Sequence, residues 1–472
     1  MLNDATPEIV NRFRGNLPEG VVREVAQRYL EEPRDRLTGR AGAVLAPATV
    51  EEVSAVLRLA SEARVGVVPY GGGTGLVGGQ LAPEGPVPLV LSLERMKAVR
   101  GIWPDEGVMT VEAGAILADV QRVAEEHDRL FPLSLASEGS ARIGGLLGTN
   151  AGGVNVLRYG NARELCLGVE AVLADGRVMR GLKRLRKDNT GYDLRNLLIG
   201  SEGTLGVVTA ASLRLFPRPE SRAAAVLVVE SPEAALRLLG QAQAVAGPAL
   251  SAFELIAGQG PRFLAEHMPQ VRLPFAEIPE WCVLIELGCS AGQDADALME
   301  ALFAEAYEAG LVRDGVVAAS EAQRAELWAM RESLPEGNRK VGSILSNDIS
   351  LPLSAVPEFI ARAGEAIGKA GDFRINCFGH MGDGNLHYNV FPVAGKARGD
   401  YPADTSDRLK ELVNQLLAEL EGSFSAEHGL GRAKVEDLVR WGDPVRIEMM
   451  RAIKKTLDPL GILNPGAIFR IE

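Results

Sequence analysis

Four cysteines in 472 residues, with neither a C-x-x-C pair nor a disulfide-rich density, exclude a disulfide scaffold. Cys166, Cys282, Cys289 and Cys377 read instead as buried thiols in a reducing compartment. A surplus of positive charge is also missing: the formal net charge is -12, which argues against nucleic acid as the main partner, because phosphate backbones bind basic surfaces. No apolar run reaches membrane-spanning length, so no transmembrane segment is expected. The N-terminal MLNDATPEIVNRF lacks the apolar core of a signal peptide. The expected location is the cytoplasm, with peripheral contact at the inner membrane left open. Internal repeats and low-complexity segments are absent. What remains, 46% hydrophobic and 24% charged residues, is the balance of an ordinary globular protein, and the length calls for two domains or one domain with lobes. One local basic run, Lys183, Arg184, Arg186 and Lys187, reads either as a solvated loop or as a docking patch for an acidic partner.

Periodicity gives a mixed picture. Residues 48–66 read as a helix and turn, with Thr49 and Glu52 forming a capping box and Val53, Val56, Leu57 and Ala60 on one face. Short strands follow at 65–68, 89–93 and 108–111, a helix at 119–128, and a hairpin over 169–178 around Asp175-Gly176. This irregular mixture fits an α+β domain better than a doubly wound parallel sheet. The sequence FPRPES at 216–221 marks the main boundary. Beyond it, strands at 223–230 and 281–288 alternate with helices at 232–245 and 293–309, which predicts an antiparallel sheet covered by helices. Ser320 with Gln323 caps a further helix to about Leu334, and 444–457 reads as a last helix before the turn Leu463-Asn464-Pro465-Gly466.

Glycine is concentrated where chemistry can use it. The segment PYGGGTGLVGG, 69–79, places six glycines after a strand, so that backbone N–H groups can surround a pyrophosphate. Gly73, Gly75 and Gly78 spell G-x-G-x-x-G, yet QLAPEGP follows where a dinucleotide-binding helix would have to begin, and NAD is rejected for this loop. A second loop runs from Glu138 to Gly153 and a third is GSEGTLG at 200–206.

These stretches, with RYGNARELCLGVEAVLADG and NTGYDLRNLLIGSEGTLGVVT, resemble the FAD domain of the vanillyl-alcohol oxidase and p-cresol methylhydroxylase superfamily over about 38–217. The resemblance implies a two-lobed α+β FAD domain. FAD would be held by Pro69, Gly71, Gly72, Gly73, Thr74, Gly75, Gly78 and Gly79 of the first loop and by Gly139, Ser140, Gly144, Gly145, Asn150, Gly152 and Gly153 of the second. Its adenine end would lie near Glu202, Gly206 and Val207. Relatives that bond flavin covalently use histidine or cysteine, and neither occurs in the first two loops, so the FAD is expected to be non-covalent.

Three of only five histidines fall in two motifs, FGHMGDGNLHYN at 378–389 and SAEHGLG at 425–431. In the first, two strands flank a glycine-rich turn, and His387 and Asn389, two apart, share a face. Two histidines and a carboxylate can hold a divalent metal with open positions, although on this spacing alone an ordinary Asp-Gly turn carrying two polar histidines is the better reading. Both motifs resemble the C-terminal domain of D-2-hydroxyglutarate dehydrogenase, D-lactate dehydrogenase and the flavin subunit of glycolate oxidase. That resemblance implies His380, His387 and Glu427 as ligands of a divalent metal, Zn2+ or Mn2+, with Asn389 and Arg331 as substrate contacts and His428 as the catalytic base. It also implies that the NPG turn, with Asn464, returns to the flavin. Hydroxyglutarate-type relatives carry a threonine four residues after the arginine and a lysine fifteen after it; Pro335 and Ser346 stand here.

The expected organisation is an N-terminal helical segment (1–37), an FAD domain (38–217), a substrate domain with the metal-binding hairpin (218–424) and a C-terminal segment returning to the FAD domain (425–472). The expected reaction is oxidation of a D-2-hydroxy acid, of D-lactate or D-2-hydroxyglutarate type, to the 2-keto acid by hydride transfer to flavin N5. An electron-transfer flavoprotein, a quinone or a cytochrome would take the electrons. Alternatives are a non-redox FAD enzyme of the alkyl-dihydroxyacetonephosphate synthase type and a non-catalytic flavin-binding subunit of a larger complex. A homodimer is compatible with all three.

Overall fold

The computed structural model describes residues 1–470, and the chain divides into two compact units. One comprises 1–152, 160–217 and the segment from 427 onward; the other comprises 153–159 and 218–426.

The first unit holds two principal sheets. A four-stranded sheet has the order Val22–Arg23, Val44–Leu45, Leu89–Ser92, Val67–Tyr70, with parallel pairing of the last three, a parallel element that the irregular sequence pattern did not announce. The strand expected at 65–68 runs Val67–Tyr70, so Pro69 and Tyr70 belong to it and the loop begins at Gly71. Pro69 is tolerated because this strand ends the sheet's order, where a missing N–H breaks no ladder. The second sheet is antiparallel, in the order Val99–Trp103, Val108–Glu112, Val207–Arg214, Cys166–Val172, Val178–Gly181. Its last two strands form the hairpin around Asp175-Gly176, with Gly176 at φ 84°. Helix Val50–Ala63 starts where the capping box placed it: the Thr49 hydroxyl accepts from the Glu52 N–H at 3.1 Å and the Glu52 carboxylate from the Ala48 N–H at 2.7 Å.

The second unit is built on a seven-stranded antiparallel sheet, in the order Val312–Val317, Ser221–Val229, Trp281–Cys289, Leu250–Ala257, Arg374–His380, Asn385–Phe391, Leu345–Ser350. Alternation divides its side chains, with register shifts at Val228/Val229 and Leu250/Ala252. Ala225, Leu227, Phe253, Leu255, Val283, Ile285, Tyr388 and Val390 face one way, into a core closed by helices Pro232–Ala246, Ala295–Glu308, Val356–Ala370 and Thr405–Glu419. Ala224, Val226, Ala252, Ile256, Leu284 and Phe378 face the other, against helices Gln259–His267 and Glu321–Val341.

One expectation is corrected. The helix that begins after Ser320 does not stop near Leu334 but continues through Pro335 to Val341. Tertiary contacts override the break: Leu334 and Gly337 are buried, Gly337 lies against Leu264, and Asn338 accepts a hydrogen bond from Asn376 at 2.8 Å.

Candidate functional site

In the first unit the first two glycine loops touch backbone to backbone. A Cβ on Gly72 would stand 2.1 Å from the Ser140 carbonyl oxygen, and one on Gly71 would stand 3.1 Å from Gly145 Cα. Gly73 and Gly78 take φ values of +75° and +70°, which a side chain disfavours. No helix begins in the first loop. A cradle lined by peptide groups is what a pyrophosphate-linked cofactor needs, so the residues present fit FAD.

The C-terminal segment closes on this cradle within the same unit. Arg432 donates to the carbonyls of Gly78 and Gly79, both at 3.0 Å, to Asn464 Oδ1 at 3.1 Å and to the Pro465 carbonyl at 2.7 Å. Burial holds its guanidinium at a pKa of about 10. Asn464 in turn donates to the carbonyls of Gly79 and Glu202 at 2.9 and 2.8 Å. The Glu202 carboxylate accepts the N–H groups of Leu430 and Gly431, each at 2.8 Å, and burial pushes it up against the pull of these two donors. Glu202 thereby fixes the loop that carries Glu427 and His428, whose Oε1 and Nε2 lie 3.6 Å apart. Gly431 is obligatory there, since a Cβ would meet the Val77 carbonyl at 2.2 Å.

The other predicted FAD residues are placed as follows. Asn150 caps helix Ile143–Thr149 in the left-handed region, with its Oδ1 taken by the Arg163 N–H at 2.9 Å. Gly206 packs on Leu198, and Val207 opens a buried strand. Gly153 belongs to the second unit, whereas Gly152 belongs to the first.

In the second unit the sheet face turned toward helix Glu321–Val341 changes character across three adjacent strands. The register sets Asp348, His387 and Phe378 in one row and Ser346, Asn389 and Asn376 in the next, with His380 opposite Glu254. His380 ends its strand rather than standing in the turn; Met381–Asp383 makes that turn, and Gly384, at φ 81°, leaves no room for a Cβ against the Leu351 carbonyl. The His380 and His387 rings are 5.6 Å apart. Polar groups this deeply buried are costly unless partnered. Arg331 and Glu254, 5% and 1% exposed, form an ion pair at 2.6 Å, and the other Glu254 oxygen lies 2.6 Å from His380 Nδ1. Burial would raise the Glu254 carboxyl, but Arg331 and His380 outweigh it and hold it at about 2. Asn385 donates to Asp348 at 3.0 Å, and Asp348 lies 4.0 Å from His387 Nδ1. Ala426, the residue before Glu427, donates its N–H to the Asp348 carbonyl at 3.3 Å. The donor chemistry of two imidazoles with neighbouring carboxylates fits a divalent cation.

Sequence reasoning missed Glu254, Asp348, Glu202's part in the C-terminal loop, and Arg432. Period-2 alternation carried a signal for two of them: Glu254 interrupts the apolar parity of its strand, and Asp348 shares a face with Ser346.

Comparison with known proteins agrees with this layout. Residues 41–181 match the family described as FAD binding domain, and residues 218–468 match FAD linked oxidases, C-terminal domain. A D-2-hydroxyglutarate dehydrogenase of Xanthomonas citri pv. viticola is 39% identical over 90% of this chain and 89% of its own. The mitochondrial D-2-hydroxyglutarate dehydrogenase of Rattus norvegicus is 38% identical over 89% of this chain and 77% of its own. A D-2-hydroxyglutarate–pyruvate transhydrogenase of Saccharomyces cerevisiae is 33% identical over 90% and 86%. Among solved structures, p-cresol methylhydroxylase with substrate bound superposes with a TM-score of 0.76 at 17% identity, covering 98% of this chain and 96% of that one. An alkyldihydroxyacetonephosphate synthase gives 0.72 at 15%, covering 98% and 85%; both are likenesses of fold. Matched along both halves, the chain belongs to the FAD-linked oxidases and is an FAD-dependent oxidoreductase.

Proposed function

We propose that this enzyme oxidises a D-2-hydroxy acid to its 2-keto acid with the aid of a divalent metal. The observation that carries the reading is the polar face of the second unit, where Arg331, His380, His387 and Asn389 converge with Glu254 and Asp348 on a sheet whose opposite face is a continuous apolar core. Bound FAD supplies the hydride acceptor. His380, His387 and Glu427, with Asp348 beside His387, would hold a divalent cation, which would supply positive charge next to the substrate's hydroxyl. His428 takes that proton, as the general base. Arg331 and Asn389 hold and orient the substrate's carboxylate. Asn389 suits this role because the residue is buried and its amide can supply a donor where water is scarce. The row that leads away from His387, Ser346–Asn389–Asn376, is neutral, so the side chain of the hydroxy acid is the open variable.

Reduction of an artificial dye by the purified holoenzyme across D-lactate, D-2-hydroxyglutarate, glycolate and larger D-2-hydroxy acids tests the proposal. Turnover is expected with at least one D-enantiomer, lost in His428→Ala with FAD retained, and lost on chelation but restored by Zn2+ or Mn2+. Full activity of metal-free enzyme would overturn the metal role, and an inert panel would overturn the reaction. The physiological acceptor is proposed to be an electron-transfer flavoprotein, a quinone or a cytochrome. The transhydrogenase name of the yeast relative favours a 2-keto acid as a second reading for that acceptor.

A further inference from the structure

The geometry points to Glu254 as a positioning residue that couples the metal site to the substrate-carboxylate site, an inference that rests on the reading of His380 and Arg331 given above. One carboxylate serves both: Oε1 lies 2.6 Å from His380 Nδ1, and Oε2 accepts from Arg331 Nε at 2.6 Å, with Nη2 at the same distance. Each partner is held independently as well. His380 is the residue opposite Glu254 in the strand register, and the Arg331 guanidinium lies 4.8 Å from the centre of the Phe378 ring.

The carboxylate has only acceptors, so the His380 ring must present Nδ1–H to it. In the neutral ring Nε2 then carries the lone pair, the form in which an imidazole ligates a metal. The same charge fixes the plane of Arg331 and spends part of its fork, so the cation that meets a substrate carboxylate is already oriented and partly neutralised. Loss of Glu254 therefore disturbs two functions together, although Glu254 reaches neither metal nor substrate.

Glu254→Gln is the decisive variant. An amide facing His380 donates to Nδ1 and moves the ring proton to Nε2, whereas the reverse amide orientation sets two donors against each other at Arg331. Expected are FAD content equal to wild type, Zn2+ binding in equilibrium dialysis weakened about 10- to 100-fold, and a raised KM for the hydroxy acid at saturating metal. Glu254→Asp, which keeps the charge, should recover part of both. Wild-type Zn2+ affinity and KM in Glu254→Gln would overturn the proposal. Should that variant not fold, 15N–1H correlations of the histidine rings in metal-free wild type decide the matter, with His380→Ala identifying its signal among only five histidines. Nδ1–H is expected at His380, and a neutral ring protonated at Nε2 alone would overturn the coupling. If His380→Ala and His387→Ala bind Zn2+ as wild type does, the metal reading itself fails, a result separate from any effect at Glu254.

Discussion

Replacing Gly72 by alanine tests the cradle with a single methyl group. No positive φ is involved, so the backbone conformation itself accepts alanine and only the neighbours object. The new Cβ would stand 2.1 Å from the Ser140 carbonyl oxygen, 2.9 Å from its carbonyl carbon and 3.0 Å from Ala141 Cα. All three are backbone atoms, so no side chain can rotate away. Restoring an ordinary contact of 3.4 Å requires the two loops to part by roughly 1.3 Å. Overpacking of this kind costs about 1–3 kcal/mol. If the cofactor needs the undisturbed spacing, the same energy appears as roughly 5- to 150-fold weaker FAD binding. Titration of apo-protein with FAD, followed by quenching of flavin fluorescence, measures it, and thermal unfolding of the apo-protein reports any part of the cost that falls on folding instead. A Gly72→Ala protein that binds FAD and melts as wild type does would refute the argument that these loops are in contact.

Other perturbations probe separate parts of the chain. Arg432→Met deprives four acceptors, the carbonyls of Gly78, Gly79 and Pro465 and the Asn464 amide oxygen, of a shared donor, and should lower stability to urea by about 3 kcal/mol or more; a loss below about 1 kcal/mol would show the hub to be dispensable. Gly364→Ala and Gly368→Ala meet nothing within 4 Å in helix Val356–Ala370 and should each raise stability by about 0.5–1 kcal/mol; a lower urea midpoint in either would contradict the open space around them. All four thiols are buried, and burial pushes Cys166 and Cys282 up to about 12, so a thiol-reactive disulfide dye at pH 8 should find none in the native protein and four in guanidinium. A thiol that reacts quickly before unfolding would contradict this burial.

Local signals survived translation into structure where the cause was local. The Thr49 capping box, the Asp175-Gly176 turn and the strand expected at 281–288 each depend on neighbours within a few residues, and each appears where the local sequence put it. The glycines of the first loop were conspicuous as a cluster, but the reason for Gly72 lies at Ser140, 68 positions away, and no spacing rule connects the two. The role of Glu254 was hidden for the same reason. A lone acid in an apolar strand signals an exception, and only the pairing of Leu250–Ala257 with Arg374–His380 reveals its partner. Arg432 was legible merely as the residue after a motif. Its four acceptors come from 78–79 and 464–465, which meet only in the folded unit.

Pro335 shows how far such long-range demands reach into a helix. Proline has no N–H to give the Arg331 carbonyl, and its ring crowds that carbonyl, a cost of about 3 kcal/mol in a helix interior. Local propensity ends the helix before it. The chain continues because Arg331 and Asn338, seven apart and hence on one face, must both reach the sheet: one pairs with Glu254 and the other bonds Asn376. Pro335 itself is exposed, so its ring contributes little packing that alanine would lose. Pro335→Ala should therefore raise stability, read as a higher urea midpoint at unchanged m-value, by an amount approaching about 3 kcal/mol if the helix runs undistorted through this turn. A smaller gain would mean that the helix already bends to relieve the clash. A loss of stability would contradict the reasoning, since it would require the proline ring to be supporting the position of Arg331 rather than opposing it.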